Sequence, residues 1–429
     1  MGHNTVSMRR LVLLGSALVS TVCAQSCVSV TARYTPQLGT GYTAKPILNG
    51  LKSPRDMIFD KLGNMLVVEQ GGGGIRYIKL MESGDSVCVE SSKTLITDST
   101  LNHGIDITAD GKTLIVSSLA SVFAYTYDAE TGTATDKKII INNMTNGGHQ
   151  TRTLLISKLN PDLLLVSRGS DANIDARAGD ITSGHSTIKY YSISAILQTP
   201  ADHAKDGIVL GWGLRNNVGL GEHPITGGIY SVENSMDDIK RQGKDVHNDN
   251  PAEELNYHGV VNDTDKNPLQ GKNYGYPGCV SAWDPSVLSN PDLKVGSQFV
   301  PNLAAGTTIA TADADCAKFE APRLVFPAHT APLDIKFKAD GSAAFVSFHG
   351  SWDRQPPDGY RVMRYEFGAD GQPKELSTSK TASIPVMLNA DNSKCPGACF
   401  RPAGLALDTK GRLFMSSDST GEIFVITGA

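Results

Sequence analysis

The sequence predicts an all-β chain folded as a six-bladed β-propeller, on three observations. One plan recurs along the chain: a polar opening, a strand, a tight turn built on Asp and Gly, a second strand, then a glycine-containing turn into a third. It is clearest at residues 51–69 and 399–418, and again at 101–118 and 330–348. Two looser copies, at 149–167 and 214–232, bring the number to six. Finally, a lone blade of this size cannot bury its faces, whereas radially stacked blades can. A β-sandwich would leave the repeated plan unexplained.

Taken in order, the chain opens with Met8-Arg9-Arg10, a short apolar run and the small-residue site Val22-Cys23-Ala24. Residues 1–24 are therefore expected to be a signal peptide, leaving 25–429 as a single propeller domain that is secreted. No later segment approaches ~18 uninterrupted apolar residues, so no membrane span is expected. Residues 28–33 and 46–48 are expected to be strands that close the ring against the last blade. Gly71-Gly72-Gly73-Gly74 reads as a turn between blade strands, since it lacks the order and the following helix of a nucleotide site. The stretch 233–328 must hold the rest of blade four and a loop-rich insertion, with 270–328 expected outside the ring.

Of seven cysteines, Cys23 leaves with the signal and six remain, an even number that invites three disulfides. Sequence alone allows ~15 connectivities. Proximity favours Cys395 with Cys399 and Cys279 with Cys316, leaving Cys27 with Cys88. No histidine follows at zinc-site spacing. The sequons at Asn143 and Asn262 are expected to lie on the surface. A formal net charge of -5, with no basic run after the leader, argues against nucleic acid and anionic membrane as partners.

If each copy begins with the innermost strand, the residues at its start line one mouth of the central channel. Those openings are Ser53-Pro54-Arg55, Asn102-His103, His149-Gln150, Leu214-Arg215-Asn216, His329-Thr330 and Phe400-Arg401-Pro402. Three arginines and three histidines would converge there, and a mostly cationic pocket implies a small polyanionic ligand. His149 follows Gly147-Gly148, where the backbone can turn sharply and approach a ligand. With an ordinary pKa near ~6.5 its imidazole is largely a free base at neutral pH and can take a hydroxyl proton. His103 is the next candidate for that task.

Gly148-His149-Gln150-x-Arg152, Gly213-Leu-Arg215-Asn216-Asn217-x-Gly219, Pro251-Ala-Glu-Glu-Leu-Asn256 with Gly271-Lys-Asn-Tyr-Gly-Tyr-Pro277, and His349-Gly-Ser-Trp352-Asp-Arg354 resemble the glucose/sorbosone dehydrogenases. These are six-bladed propellers that bind pyrroloquinoline quinone (PQQ), and the similarity is strongest to the fungal secreted pyranose dehydrogenases of auxiliary activity family 12. The resemblance runs in order from about residue 45 to 429. It implies that His149 is the general base and that Arg215 steadies the reacting quinone oxygen and the substrate. It implies a cofactor set of Arg55, His103, Asn216, His349, Arg354 and Arg401, the arginines pairing with the three carboxylates of PQQ. Trp352 either packs on the flat ring system or is a blade-core aromatic. The oxygen-rich stretch His247-Asn-Asp-Asn-Pro-Ala-Glu-Glu254 suits calcium, and the resemblance assigns the ion to the backbone carbonyls of Asn250 and Pro251.

The implied activity is oxidation of a pyranose or keto-aldose, of fucose, glucosone or sorbosone type, by hydride transfer to the quinone. Some fungal relatives carry a haem domain and a cellulose-binding module. Ending at Ala429 without either, this chain is expected to be a monomer that passes electrons to an external acceptor. A copper-dependent polysaccharide oxygenase, a cytochrome or a small quinone would serve. The alternatives are a calcium-dependent lactonase or esterase on the same fold, with His149 activating water, and a ligand-binding propeller without catalysis.

Overall fold

A computed structural model describes residues 1–3, 27–83, 86–261 and 267–428. The expected signal peptide beyond its first three residues and the Asn262 sequon lie outside the described residues. The described chain forms six blades of four strands, and a short fifth strand is added to three of them. Blade one is Pro54–Phe59, Met65–Glu69, Gly74–Ser83 and Ser86–Ile96; blade two is Leu101–Ile107, Thr113–Ser118, Val122–Asp128 and Thr133–Asn142. Blade three is Leu154–Ile156, Leu163–Arg168, Thr187–Ser192 and Ile208–Trp212; blade four is Asn217–Glu222, Gly228–Glu233, Glu253–Val260 and Leu324–Phe326. Blade five is Pro332–Phe337, Ala343–Phe348, Arg361–Glu366 and Ile384–Asn389. Blade six takes three strands from the C-terminus, Pro402–Leu407, Leu413–Ser417 and Glu422–Thr427, and its fourth, Thr43–Leu48, from the N-terminal end. The first strands of successive blades touch all the way round, ending with Pro402–Leu407 against Pro54–Phe59.

The repeated turn works as its sequence suggests. Asp60, Asp110, Asp340 and Asp408 each accept a hydrogen bond at Oδ1 from the N–H two residues on, at 2.9–3.0 Å, which closes the first hairpin of its blade. The middle of each second strand is mostly apolar on both faces because both are buried. Met65 and Val67 pack against blade six while Leu66 and Val68, alternating with them, pack against blade two. A hydrophobic cluster of this kind fills every interface between neighbouring blades. Nearer the axis the blades are stitched by polar groups: Ser117 Oγ donates to Arg152 O at 2.6 Å, Ser347 Oγ to Ala403 O at 2.6 Å, and Ser416 Oγ to Arg55 O at 2.7 Å. Gly404 permits the last of these approaches, since a Cβ there would stand 2.4 Å from Arg55 O.

Two expectations need correction. Residues 46–48 do close the ring, with Pro46 opposite Phe424, but 28–33 form no strand; Pro36–Leu38 instead pairs with Ile384–Asn389 at the outer edge of blade five. Nor does the insertion stay wholly outside the ring. Lys272–Asn273 extends blade three and Leu324–Phe326 completes blade four, because exposed sheet edges are satisfied by whichever strand lies nearest. The remainder forms a lobe with its own small core around Tyr276, Leu288 and Phe299, braced by the buried Arg241–Asp313 ion pair. All three disulfides join the expected partners. Among the described residues no helix is long and apolar enough to cross a membrane.

Candidate active site

The six openings lie at one mouth, where each blade is bonded to the next through them or the loops beside them. Arg55 Nε donates to His103 Nδ1 (3.3 Å) and Asn102 Nδ2 to Gln150 O (2.7 Å). Ser170 N, beside His149, donates to Arg215 O (2.7 Å), and Asn234 Nδ2 donates to Pro332 O (2.6 Å). Arg401 Nε donates to His349 O (3.0 Å), and Arg55 returns from blade one to Asp418 on blade six (2.7 Å). Three non-glycine residues at these openings, Ser53, His329 and Ala331, have φ of 45°, 57° and 53°. Such left-handed backbone is costly and is tolerated where the surroundings impose it, commonly at sites that bind.

His149 has its tautomer set by its neighbours. Its Nδ1 lies 3.1 Å from Ser170 O and 2.9 Å from Ser170 Oγ, whose own hydrogen goes to Ala172 O at 2.7 Å. Both oxygens therefore accept, Nδ1 carries the hydrogen, and the lone pair is left on Nε2. Burial, and after it the Arg215 charge, push the imidazole down to about 4, against the hydrogen bond to Ser170. The group is a neutral base with a bare Nε2 at any pH above that value. Gly169 makes room for it: a Cβ there would meet His149 Cβ at 2.8 Å and Asn216 Oδ1 at 2.7 Å.

Arg215 is only 4% exposed, and all five of its N–H donors are taken. Nε reaches Asn173 O (3.1 Å), Nη1 reaches Asn234 O (3.2 Å) and Ser235 O, and Nη2 reaches Asn173 Oδ1 (2.9 Å) and Asp237 Oδ2 (2.6 Å). Two buried glutamates brace the loops: Glu233 Oε1 accepts from Arg215 N at 2.6 Å, and Glu253 accepts from Ser235 N at 2.7 Å and Ala331 N at 3.0 Å. Arg215 thus holds a fixed positive charge next to His149.

Across the mouth the arginines are differently placed. Asp418 accepts from Arg55 and, at 2.9 Å, from His349 Nε2. Burial alone would raise the Asp418 carboxyl, but His349 and Arg55 hold it far below the usual range. His103 is buried, its pKa driven well down first by burial and then by Arg55. Its Nδ1 lone pair faces Arg55 Nε and is not free to take a proton. Among the described residues Arg55 Nη2 and Arg401 Nη1 make no hydrogen bond, and Arg354, held through Nη1 to Ala328 O at 3.1 Å, buries an Nε with no partner. Three guanidiniums with open donors fit a ligand bearing several carboxylates.

A third cluster joins these arcs. Asp237, His329 and Asp353 present ligand atoms within 4.8 Å of one another. His329 Nε2 lies 2.6 Å from His247 O and 3.3 Å from Asn250 O, and Nδ1 lies 3.6 Å from Asp237 Oδ1. Burial opposes charge on this imidazole, yet the hydrogen bond to Asp237 and the nearby Glu253 raise its pKa above the ordinary value. The two carboxylates are the donor type that a hard cation takes, while the two backbone carbonyls face His329 Nε2. The carbonyl that joins that of Asn250 at His329 is that of His247; Pro251, next in the chain, is buried and follows a cis peptide.

The sequence profile of the TrAA12-like family matches residues 36–429. This chain belongs to that family. A "pyrroloquinoline quinone-dependent sugar dehydrogenase" of Hypocrea jecorina (strain QM6a) is 46% identical over 421 residues, 95% of this chain and 94% of that protein. A "pyrroloquinoline quinone-dependent pyranose dehydrogenase" of Coprinopsis cinerea is 37% identical over 410 residues, covering 92% of this chain and 55% of that protein, so the chain spans about half of that relative's length. Among solved structures, the calcium structure of Trichoderma reesei family AA12 matches with a TM-score of 0.88 at 46% identity, covering 94% of this chain and 100% of that one. The holo form of the PQQ domain of Coprinopsis cinerea pyranose dehydrogenase matches with 0.86 at 36% identity, covering 93% and 98%.

In this TrAA12-like chain all ten residues singled out from the sequence lie at or beside the mouth, except that Asn250 turns its side chain into the insertion, against Trp283 and Asp284. Missed were Asp418, Asp237, Asp353, Ser170 and Asn173. Asp418 closes the last repeat copy, which was its one visible signal. The others lie in loops outside the repeat, where no phase marks which residue faces the axis.

Proposed function

We propose that the chain oxidises a pyranose or keto-aldose with His149 Nε2 as general base, and passes the electrons to an acceptor outside the chain. It is an oxidoreductase of the PQQ-dependent sugar dehydrogenase kind, and the finer assignments rest on the mouth. The observation that carries them is the bare, unprotonated Nε2 of His149, its tautomer held by Ser170, beside a guanidinium that cannot move away. The quinone, when bound, supplies the hydride acceptor. Arg55, Arg354 and Arg401 hold its carboxylates through their open donors, with His349 and Asn216 completing the set and His103 supporting Arg55 from behind. Arg215 acts through its field: it keeps His149 unprotonated and favours negative charge developing on a reacting oxygen nearby. Calcium would take its oxygens from Asn250, His247, Asp237 and Asp353. The leader at residues 1–24, together with the disulfides, supports export from the cell. A lactonase would need no set of guanidiniums with open donors.

The test is to add quinone and calcium to purified quinone-free protein and follow dye reduction across a sugar panel. Reduction that requires both the quinone and a sugar is expected; reduction independent of added quinone would sink the proposal.

A further inference from the structure

The disulfide between Cys395 and Cys399 joins residues 4 apart in sequence, against 61 and 37 for the other two. A cross-link acts mainly by restricting the unfolded chain, and less so the shorter the loop it closes. This bridge therefore contributes least to holding the whole molecule together, and its surroundings give it a local task. Cys395 and Cys399 are buried, whereas Lys394, Pro396, Gly397 and Ala398 around them are exposed. The two half-cystines pack with Tyr360 as a small cluster of their own. Tyr360 is fully buried and holds a φ of 51°, a costly backbone for an aromatic residue. Its neighbours are shaped around it: a Cβ on Gly350 would stand 2.2 Å from the ring, the hydroxyl donates to Ser351 O, and the carbonyl accepts from Asn389 Nδ2 at 2.9 Å. The same Asn389 side chain grips Phe400, donating to its carbonyl at 2.9 Å and accepting from its N–H at 3.2 Å. The guanidinium of Arg401 lies over the Tyr360 ring, 5.7 Å from its centroid. Its anchoring donors, Nε and Nη2, go to the carbonyls of His349 and Gly350, the second being the residue against which the ring rests.

We propose that the Cys395–Cys399 disulfide and Tyr360 are positioning groups for the quinone: together they fix the orientation of Arg401, whose Nη1 is left to pair with a carboxylate of the cofactor. The ring supplies a flat, weakly negative surface under the guanidinium. The disulfide packs on that ring and pins the chain two residues before Arg401. A guanidinium whose orientation is set in advance loses less freedom when it pairs with a ligand. The cross-link reaches the opposite charge as well, since Cys399 O accepts from Ser419 Oγ at 3.2 Å, beside the Asp418 carboxylate that Arg55 and His349 share. The proposal rests on the reading of Arg401 as a quinone clamp and names what holds that clamp in place.

The test titrates quinone into quinone-free protein, following the quenching of intrinsic fluorescence, and reads stability separately by urea unfolding. In Cys395→Ser/Cys399→Ser and in Tyr360→Leu the quinone Kd is expected to rise about tenfold, the lower end of the ~10–100-fold expected for losing a charged hydrogen bond outright. Tyr360→Phe, which keeps the ring, should bind like wild type. Cys27→Ser/Cys88→Ser, which opens the longest of the three loops, should lose more stability and leave the quinone Kd unchanged. In an Arg401→Ala background, removing the Cys395–Cys399 bridge should weaken binding no further, because the two act as one unit. A wild-type Kd in either folded variant overturns the proposal, as does an undiminished effect in the Arg401→Ala background. A loss in Tyr360→Phe equal to that in Tyr360→Leu, or an equal loss in Cys27→Ser/Cys88→Ser, overturns it too, since the effect would then be one of general stability. Should the Cys395→Ser/Cys399→Ser variant fail to fold, Tyr360→Leu against Tyr360→Phe decides. Arg401→Ala binding quinone as tightly as wild type would sink the clamp reading itself, an outcome distinct from a wild-type Kd in the disulfide variant alone.

Discussion

The two arcs of the mouth use the same residue type for opposite purposes. On the arc of blades three and four, Arg215 has every donor bonded to protein oxygen and is nearly inaccessible. On the arc of blades five, six and one, Arg55, Arg354 and Arg401 are anchored by some donors and keep others open. A saturated guanidinium acts through position and charge, whereas an unsaturated one is a hand held out to a ligand. The difference separates the chemical step from cofactor capture, and each can be attacked alone.

The largest effect is expected at the base. His149→Ala should lower kcat by ~100-fold to 10,000-fold while quinone Kd, by titration, stays near wild type. A wild-type rate with saturating quinone would make His149 structural.

Arg215→Met should act on the fold. It removes the bonds that tie Asn173, Asn234 and Ser235 together and leaves the half-buried Asp237 to His329 alone, at a cost of about 1.5–3 kcal/mol, measurable by urea unfolding. Arg401→Ala should leave that unfolding curve within about 1 kcal/mol and weaken quinone binding by roughly 10–100-fold, as expected for a charged hydrogen bond worth ~1.5–3 kcal/mol. If the two variants trade places, with Arg215→Met folding normally and Arg401→Ala unfolding, the division of the mouth is wrong.

A smaller effect concerns pH. In quinone-free protein the His149 imidazole should titrate near 4 by NMR, and in Arg215→Met the midpoint should move up towards ~6.5 because a repelling charge is gone. Since the folded value lies below the unfolded one, this histidine removes stability as pH falls from ~6.5 towards 4 and imposes no loss above ~6.5. A midpoint of 6.5 in wild type would mean that the imidazole is not buried in solution.

The smallest effect is expected at Ser170. Ser170→Ala removes one acceptor for the Nδ1 hydrogen but leaves the backbone carbonyl, so kcat should fall only a few-fold, about 1 kcal/mol. A loss as large as that of His149→Ala would show that the hydroxyl, not the carbonyl, holds the tautomer.

By itself the sequence determined the propeller, because the blade plan is local: Asp60, Asp110, Asp340 and Asp408 close their hairpins within a few residues, and alternation along each second strand reports two buried faces. Repeat phase then carried the mouth, since Arg55, His103, His149, Arg215 and Arg401 occupy matching places in their copies. Tertiary structure decided what each of them does. Whether an arginine is saturated depends on oxygens far away in sequence, such as Asp418 for Arg55 and Asn173 for Arg215. Which nitrogen of His149 is bare depends on Ser170, and that Trp352 faces water rather than the blade core, at 69% exposure, depends on how its segment is tied to Asn248. These are properties of partners, and partners outside the repeat carry no period from which to read them.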